Sequence, residues 1–253
     1  MIRYVFKRYE LKYLLTAEQY RTVRGEIEKR LSPDAFGKTT IQSLYYDTPD
    51  DRIVRASIEK PAFKEKLRLR CYGLNDRDQD IYIEMKRKYD GVVYKRRIAC
   101  KERELPDILG AEPESSQIGK ELAYFFRFYG KLVPKTMILC DREAFFDADS
   151  DLRVTFDRNV RYRKKALNFH TSLDGKSILA DGMVPLELKS GVAFPLWLCD
   201  LLCREGIKKQ SFSKYGAAYA CEHPQNTALR SEVLCLNPFS VAETLPQSVS
   251  LSR

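Results

Sequence analysis

The sequence predicts an α+β fold, in which helices pack on a mostly antiparallel sheet. Several segments alternate apolar and polar residues with a period of two, as strands with two different faces do, and amphipathic helical segments stand between them. The 253 residues, 44% of them hydrophobic, are enough to bury a sizeable core. No break in composition and no repeat divides residues 1–222, so we predict one domain there. The range 223–253 loses all periodicity and is predicted to be a loosely ordered tail.

The predicted strands carry charged residues on one face and apolar residues on the other. In 66–70 the cations alternate with leucines, and 81–88 alternates in the same way. The dipeptide Asp90-Gly91 is a hairpin signal, which joins 81–88 to a strand predicted over 92–98. Further strands with this pattern are predicted at 8–13, 152–157 and 186–189.

Helix signals stand between and after these strands. Thr16 and Gln19 have the spacing of a capping box, and apolar residues follow at helical intervals as far as residue 31. Gly130 is placed to end a second helix, and Pro195 to begin a third. The second helix is predicted over 118–129, and Ser213 is placed to begin a short last helix that ends at residue 219.

The charge balance indicates an anionic partner or a basic solvated surface. Lys and Arg number 44 against 35 Asp and Glu, which gives a net charge of +9. Nucleic acid, an anionic membrane face and polyphosphorylated small molecules would all be attracted. With only two His in the chain, carboxylates, Lys and Arg must carry any catalysis.

The remaining composition favours a cytoplasmic chain. The seven cysteines form no CxxC pair and no regular framework, which is typical of reduced thiols. No run approaches the ~18 apolar residues of a membrane span, and the first residues lack the apolar core of a signal peptide. Neither GxGxxG nor a complete P-loop is present, and no zinc finger, helix-turn-helix or aromatic RNA-binding motif is found.

The charged strand faces account for the whole net charge. Together with two neighbouring residues they carry thirteen cations and four anions. Two arrangements remain open on spacing alone: an antiparallel sheet with its charged face in water, or a sheet closed into a barrel with that face inward, which needs water and a polyanion to neutralise it. The residues are Arg8, Lys12, Lys66, Arg68, Arg70, Lys86, Lys88, Lys95, Arg97, Arg142, Arg153, Lys189 and Lys214, with Glu10, Glu84, Asp157 and Glu187.

Nine short motifs, in order, resemble those of a known family. They are FKRYELKYLL, IQSLYYDTPD, KLRLRCYG, IYIEMKRK, VVYKRRI, DREAFF, LRVTFDRN, VPLELKSG and SFSKYG. Their order, over residues 6–220, resembles that of the VTC (vacuolar transporter chaperone) domain, a branch of the triphosphate tunnel metalloenzymes related to the CYTH group. The resemblance implies an eight-stranded antiparallel β-barrel tunnel with a charged lumen and helices packed on the outside.

The same resemblance implies polyphosphate chemistry. Catalytic members transfer the γ-phosphate of ATP to a growing polyphosphate chain with Mn²⁺ or Mg²⁺, so ATP and polyphosphate are the expected partners and nucleic acid is not. Two alternatives stay open: a metal-dependent inorganic or nucleoside triphosphatase, and a non-catalytic module that binds polyphosphate or inositol phosphates. The expected location is cytoplasmic, with membrane association only through a separate membrane-protein partner.

The resemblance also assigns expected roles to residues of this chain. Arg8 stands where the wider superfamily has the first glutamate of ExExK, which argues against a two-metal hydrolase. Glu187, Glu10 and Glu84 are the expected metal ligands, with cross-strand pairing to lysines as their alternative role. The expected catalytic residues are Arg70, Lys86, Arg142 and Glu187, and the expected phosphate-binding residues are Lys12, Arg68, Arg70, Lys86, Lys95, Arg97, Arg142, Arg153, Lys189 and Lys214.

These residue types suit the implied chemistry. Arg offers forked contacts to phosphate oxygens and Lys a compact charge, and cations two residues apart on a strand, about 6.6 Å, can bind successive phosphates. A hard divalent cation prefers carboxylate oxygens. Phosphoryl transfer depends on positioning and charge neutralisation more than on covalent catalysis, so a site nearly without His can perform it.

Overall fold

The computed structural model describes residues 9–59, 61–90, 92–110, 117–147 and 149–225. Arg8 and residues 226–253 of the predicted tail lie outside this range. The strands are β1 (Tyr9–Leu15), β2 (Ser32–Asp47), β3 (Phe63–Tyr72), β4 (Ile81–Tyr89), β5 (Val92–Cys100), β6 (Val133–Phe146), β7 (Arg153–Arg163), β8 (Lys176–Ser177) and β9 (Val184–Ser190).

Helices separate these strands and follow the last of them. In the described ranges, none of the helices is both long enough and apolar enough to cross a lipid bilayer. They are α1 (Ala17–Glu28), α2 (Arg52–Ile58), α3 (Leu105–Gly110), α4 (Gln117–Tyr129), α5 (Leu196–Arg204) and α6 (Lys214–Glu222).

The strands form one antiparallel sheet, which confirms the predicted α+β class. Its order is β1-β9-β7-β6-β2-β3-β4-β5, with β8 added beside β7. Over the described residues β1 and β5 do not pair, so the sheet is open and the expected closed barrel is not formed. The free edge of β1 is used by the segment after α5, since Tyr13 bridges Lys209 and the Gln210 amide donates to the Lys12 carbonyl at 2.8 Å.

The open sheet is nevertheless curled. Lys86 of β4 reaches Glu10 of β1, with 3.5 Å between Nζ and Oε2, although five strands separate them in the sheet order. The two residues therefore lie on the same inner side. We call this side, which also carries Arg68 and Glu84, the concave face.

The apolar side chains point the other way and form two clusters on the convex face. Beneath α4, Leu122 and Phe125 pack against Leu67 and Leu69 of β3. Beneath α1 and α5, Ile27 and its neighbours pack against β1, β7 and β9. The expectation of helices outside and charges inside therefore holds for α1, α4 and α5.

Helix α6 differs from that expectation, because it packs on the concave face. Tyr215 stacks on Tyr45 of β2 with 4.5 Å between ring centroids, and Tyr45 lies directly opposite Arg68. A third apolar cluster forms here because β2, β6 and β7 carry apolar residues on this face, among them Ile41 and Ile138. The cations of the concave face are thus confined to the space that α6 leaves free.

A buried carboxylate fixes α6 in this position. Asp47, at the end of β2, accepts hydrogen bonds from the amides of Ile53 and Val54 at the start of α2, at 2.8 and 2.9 Å. It also accepts a hydrogen bond from the hydroxyl of Tyr215 at 2.9 Å. The side chain of Asp47 thereby joins β2, α2 and α6, and the hydroxyl of Tyr215 has its pKa raised by burial and by Asp47.

Replacement of Leu69 by Ala should destabilise the fold. Leu69 is 1% exposed beneath α4, and truncation of a buried leucine costs about 2–5 kcal/mol. Urea unfolding should show this loss. The matched control is Leu196→Ala, because Leu196 is 81% exposed and should change the unfolding free energy by less than about 0.5 kcal/mol. Equal effects of the two changes would contradict this assignment of the faces.

Candidate functional site

The first charged cluster of the concave face is centred on Glu84. Strand register places Arg68 of β3 and Arg97 of β5 directly opposite it, one on each side. Arg68 Nη2 lies 2.8 Å and Lys95 Nζ 2.7 Å from the Glu84 carboxylate, while Arg70 and Arg97 each bring Nε to 3.5 Å. We call these five residues the Glu84 cluster.

One carboxylate therefore faces four cations. Burial opposes ionisation of Glu84, which is 2% exposed, but the charges of Arg68, Arg70 and Lys95 outweigh it and hold the pKa well below its usual value. Burial and the neighbouring Arg68 lower the pKa of Arg70, and Arg70 Nε is buried without a hydrogen-bond partner. The cluster thus retains positive charge that a buried anion would neutralise.

The second cluster joins the two ends of the curled sheet. Lys12 Nζ lies 2.9 Å from Glu10 and 3.7 Å from Glu187, Lys189 binds Glu187 at 2.9 Å, and Lys86 reaches Glu10. Burial opposes ionisation of Glu187, but the charges of Lys189 and Lys12 overcome it and lower its pKa. We call these residues the Glu10–Glu187 cluster.

The third cluster contains Asp157, Arg142 and Lys214. Arg142 Nε and Nη2 form a forked contact with the Asp157 carboxylate, at 2.6 and 2.8 Å, and Lys214 Nζ lies 2.6 Å from the same group. Burial opposes ionisation of Asp157, but these two cations hold its pKa well below its usual value. Asp157, which the sequence analysis counted only as an anion, therefore positions two of the expected phosphate-binding residues.

Most of the expected site residues are brought together in these three clusters. Arg153 is an exception, because it lies at the start of β7 with its guanidinium 3.5 Å from Asp34, outside the three clusters. Glu84 is separated from the other two expected metal ligands, since its contacts are with the cations of its own cluster.

Three residues of the concave face were missed or left out of the predicted binding set. Lys66 donates to Ser213 Oγ at 2.8 Å, and Tyr45 accepts from Arg68 Nη1 at 2.9 Å. Burial opposes ionisation of the Tyr45 hydroxyl, but Arg68 outweighs it and lowers the pKa. The period-two position of Lys66 beside Arg68 was an available signal. Ser213 and Tyr45 gave none, because their neighbours on other strands depend on the fold.

The carboxylates suit a hard divalent cation in one place only among the three clusters. The described residues include no ready set of three or more metal-ligating side chains. Glu10 and Glu187 both contact Lys12 Nζ, at 2.9 and 3.7 Å, and offer oxygen donors. Mg²⁺ in phosphoryl-transfer sites takes one or two protein carboxylates and completes its shell with substrate phosphates and water. The pair Glu10 and Glu187 fits that donor set.

Comparison with known proteins supports this fold. The chain matches the family model of the VTC domain over residues 7–223, and no curated protein matches it. A proposed adenylyl cyclase from Hippeastrum with a dominant triphosphatase activity is 14% identical, with a TM-score of 0.51 over 87% of this chain and 97% of that chain. At this identity the likeness shows a shared fold.

Two further structures are similar over most of their length. A proposed adenylate cyclase from Vibrio parahaemolyticus is 11% identical, with a TM-score of 0.45, over 86% of this chain and 100% of that chain. One from Bacillus halodurans is also 11% identical, with a TM-score of 0.44, over 93% of this chain and 96% of that chain.

Replacement of Glu84 by Gln should destabilise the anion-free protein. Removal of one partner from a buried ion pair costs about 3–5 kcal/mol, and four cations surround this carboxylate. Tripolyphosphate should restore the melting temperature of Glu84→Gln more than it raises that of the unaltered chain. Glu28→Gln is the control, since Glu28 is 58% exposed on α1. Equal responses to tripolyphosphate would argue against an anion site here.

Lys66 should make stability depend on pH. Burial, with the nearby charges of Lys12, Lys86, Lys64 and Arg68, lowers its pKa to about 7. The unfolded chain, with an ordinary lysine pKa, binds more protons above pH 7, so the unfolding free energy should rise with pH up to about 10.

The variant Lys66→Met should flatten that rise in urea unfolding measured between pH 6.5 and 9.5. Lys29→Met is the control, because Lys29 is 69% exposed on α1 and should leave the slope unchanged. A slope that survives in Lys66→Met would show that Lys66 keeps its proton in the folded chain.

Proposed function

The chain belongs to the VTC-domain family, and on that basis we propose that it is a metal-dependent polyphosphate polymerase. It transfers the γ-phosphate of ATP to a growing polyphosphate chain on the concave face of the sheet. The observation that carries the proposal is the succession of three clusters in which cations outnumber carboxylates. A polymer with a negative charge on every phosphate matches such a series, whereas a single small anion would need only one cluster.

The Glu84 cluster is proposed to bind the donor triphosphate. Arg68 and Arg70 stand two residues apart on β3 and Lys95 and Arg97 two apart on β5, a spacing of about 6.6 Å that suits successive phosphates. When a phosphate replaces Glu84 as the partner of these side chains, each guanidinium remains paired with an anion. Arg70, whose buried Nε makes no hydrogen bond, is the residue we propose to hold the transferred phosphate.

The other two clusters are proposed to bind the polyphosphate acceptor and the metal. Lys86 lies between the Glu84 cluster and the Glu10–Glu187 cluster, because it neighbours Glu84 on β4 and contacts Glu10. Arg142 and Lys214 are held by Asp157 for a further phosphate. Of the three expected ligands, Glu10 and Glu187 would hold Mn²⁺ or Mg²⁺, which would supply positive charge to neutralise the phosphates. Arg153 and Lys189 would contact the polymer farther from the transferred phosphate.

Catalysis on this face rests on positioned positive charge. Arg70, Lys86 and Arg142 donate hydrogen bonds to phosphate oxygens whose charge redistributes as the phosphoryl group moves between donor and acceptor. Glu187, whose pKa is lowered well below its usual value, is a weak proton acceptor. A terminal phosphate is already ionised and needs no base, which favours it over water as the nucleophile.

A triphosphatase is the second candidate function. It is favoured by the shared fold with the Hippeastrum protein, for which a dominant triphosphatase activity is stated. The same clusters would bind the triphosphate, and water would replace the terminal phosphate as nucleophile. A binding module without turnover is the third outcome that the experiment below distinguishes.

We further propose that residues 1–222 form the functional domain, in the cytoplasm. The family match to residue 223 supports this boundary. A separate membrane protein is the proposed partner that receives the product.

Purified protein with ATP and Mn²⁺ should produce a polymer that resists DNase and is degraded by exopolyphosphatase. Release of phosphate without polymer would establish the triphosphatase instead, and binding without turnover the third candidate. Arg70→Gln should lower kcat about 10²–10³-fold, because one preorganised donor to the transferring phosphate is lost.

The control for this measurement is Arg127→Gln, which removes an exposed arginine from α4 and should leave kcat unchanged. Glu187→Gln should abolish the response to Mn²⁺ while the fold, followed by melting temperature, is retained. An Arg70→Gln enzyme with unchanged kcat would exclude the proposed role of Arg70.

A further inference from the structure

An aromatic surface adjoins the Glu84 cluster on the concave face. Tyr82 lies directly opposite Arg70 in the strand register, and Tyr72 follows Arg70 two residues along β3, a distance of about 6.7 Å. The Tyr72 and Tyr82 rings meet edge to face with 5.9 Å between centroids. Phe36 lies nearly parallel to Tyr72, at 6.3 Å and 13°.

Arg97 joins this surface to the anion site. Its guanidinium carbon lies 3.6 Å from the centroid of the Tyr82 ring, and Nη2 donates to the Tyr72 hydroxyl at 3.0 Å. The same side chain brings Nε to 3.5 Å from Glu84. A ligand that stacks here would therefore have the cations of the Glu84 cluster immediately beside it.

Phe36 is held in an exposed position by an irregular part of β2, where the pairing with β6 shifts register between Pro33 and Lys38. The ring is 75% exposed, so it contributes little to the core. Its amide donates to Asp34 Oδ1 at 3.0 Å, Gly37 follows with a φ of 54°, and Asp34 is in turn paired with Arg153. This places a large apolar ring at the rim of the charged concave face, where a flat partner can cover it.

We propose that Phe36, Tyr72 and Tyr82, with Arg97, bind the nucleobase of a nucleoside triphosphate. The inference rests on the proposed function, because it places the triphosphate in the adjoining Glu84 cluster. Aromatic rings and an arginine plane stack on any nucleobase, while the phosphates continue toward Arg70 and Arg68. Stacking favours purines for their larger rings and discriminates little between ATP and GTP.

The test compares ligands with and without a base. Calorimetry on the full chain in EDTA, where metal-dependent turnover is prevented, gives the Kd of ATP, GTP and tripolyphosphate. Phe36→Ala should raise the Kd of ATP and of GTP about fivefold to a hundredfold, which is the range for loss of one stacked base. It should leave the Kd of tripolyphosphate unchanged. Phe63→Ala is the matched control, since Phe63 is an exposed phenylalanine at the opposite end of β3.

A second variant reports the stacking directly. Trp197 is the single Trp of the chain, so Phe36→Trp combined with Trp197→Phe places the only indole at the proposed surface. ATP should quench its fluorescence, and tripolyphosphate should not.

Two results would overturn the proposal. In the first, Phe36→Ala leaves the Kd of ATP unchanged; in the second, it raises the Kd of ATP and the Kd of tripolyphosphate equally. Because binding is measured without turnover, an inactive polymerase would not affect this outcome. Failure of tripolyphosphate itself to bind would instead refute the proposed function together with this site.

Discussion

Positive charge crowded onto one face of a curled sheet must be neutralised, and the rest of the structure follows from that requirement. Two like charges 4 Å apart repel by about 4 kcal/mol at the effective dielectric near a protein surface. The chain limits this cost by placing Glu84, Asp157 and the pair Glu10 and Glu187 among the cations. These carboxylates lower the repulsion but do not balance the cations, so the concave face keeps a net positive charge in the folded chain.

The period-two alternation of the strands makes this arrangement possible. On β3, Arg68 contacts Glu84 on the concave face while Leu67 and Leu69 lie beneath α4 on the convex face. A register slip of one residue would exchange the two faces, which would bury arginines under a helix. The apolar clusters beneath α1, α4 and α5 thus fix the direction in which the charged groups point.

The sequence was sufficient to predict the elements with clear local signals. The capping box of Thr16, the left-handed Gly130 after α4 and the Ser213 cap of α6 all form as expected. The central strand β2 was not recognised, because residues 42–45 are buried on both faces, between α4 and α6, and show no alternation. A local sequence pattern does not show which elements cover each face of a strand.

Features that depend on distant partners were the hardest to predict. Three glutamates on polar strand faces were visible in the sequence, but the strand register decides that Glu10 lies opposite Lys189 and Glu187 opposite Lys12, while Glu84 lies opposite Arg68. The prediction of a closed barrel was wrong for the same reason, because the segment at Lys209 pairs with the free edge of β1. Asp47, which joins β2, α2 and α6, had no signature that distinguishes it from a surface aspartate.

The position of α6 has an electrostatic consequence beyond its packing. The helix begins at Ser213 and Lys214, next to Lys66 and Asp157, so its amino end opens onto the charged surface. Aligned peptide dipoles give such an end roughly half a positive charge. Unlike an amine, this charge carries no proton to lose, so part of the positive potential of this surface persists at any pH at which the helix stays folded.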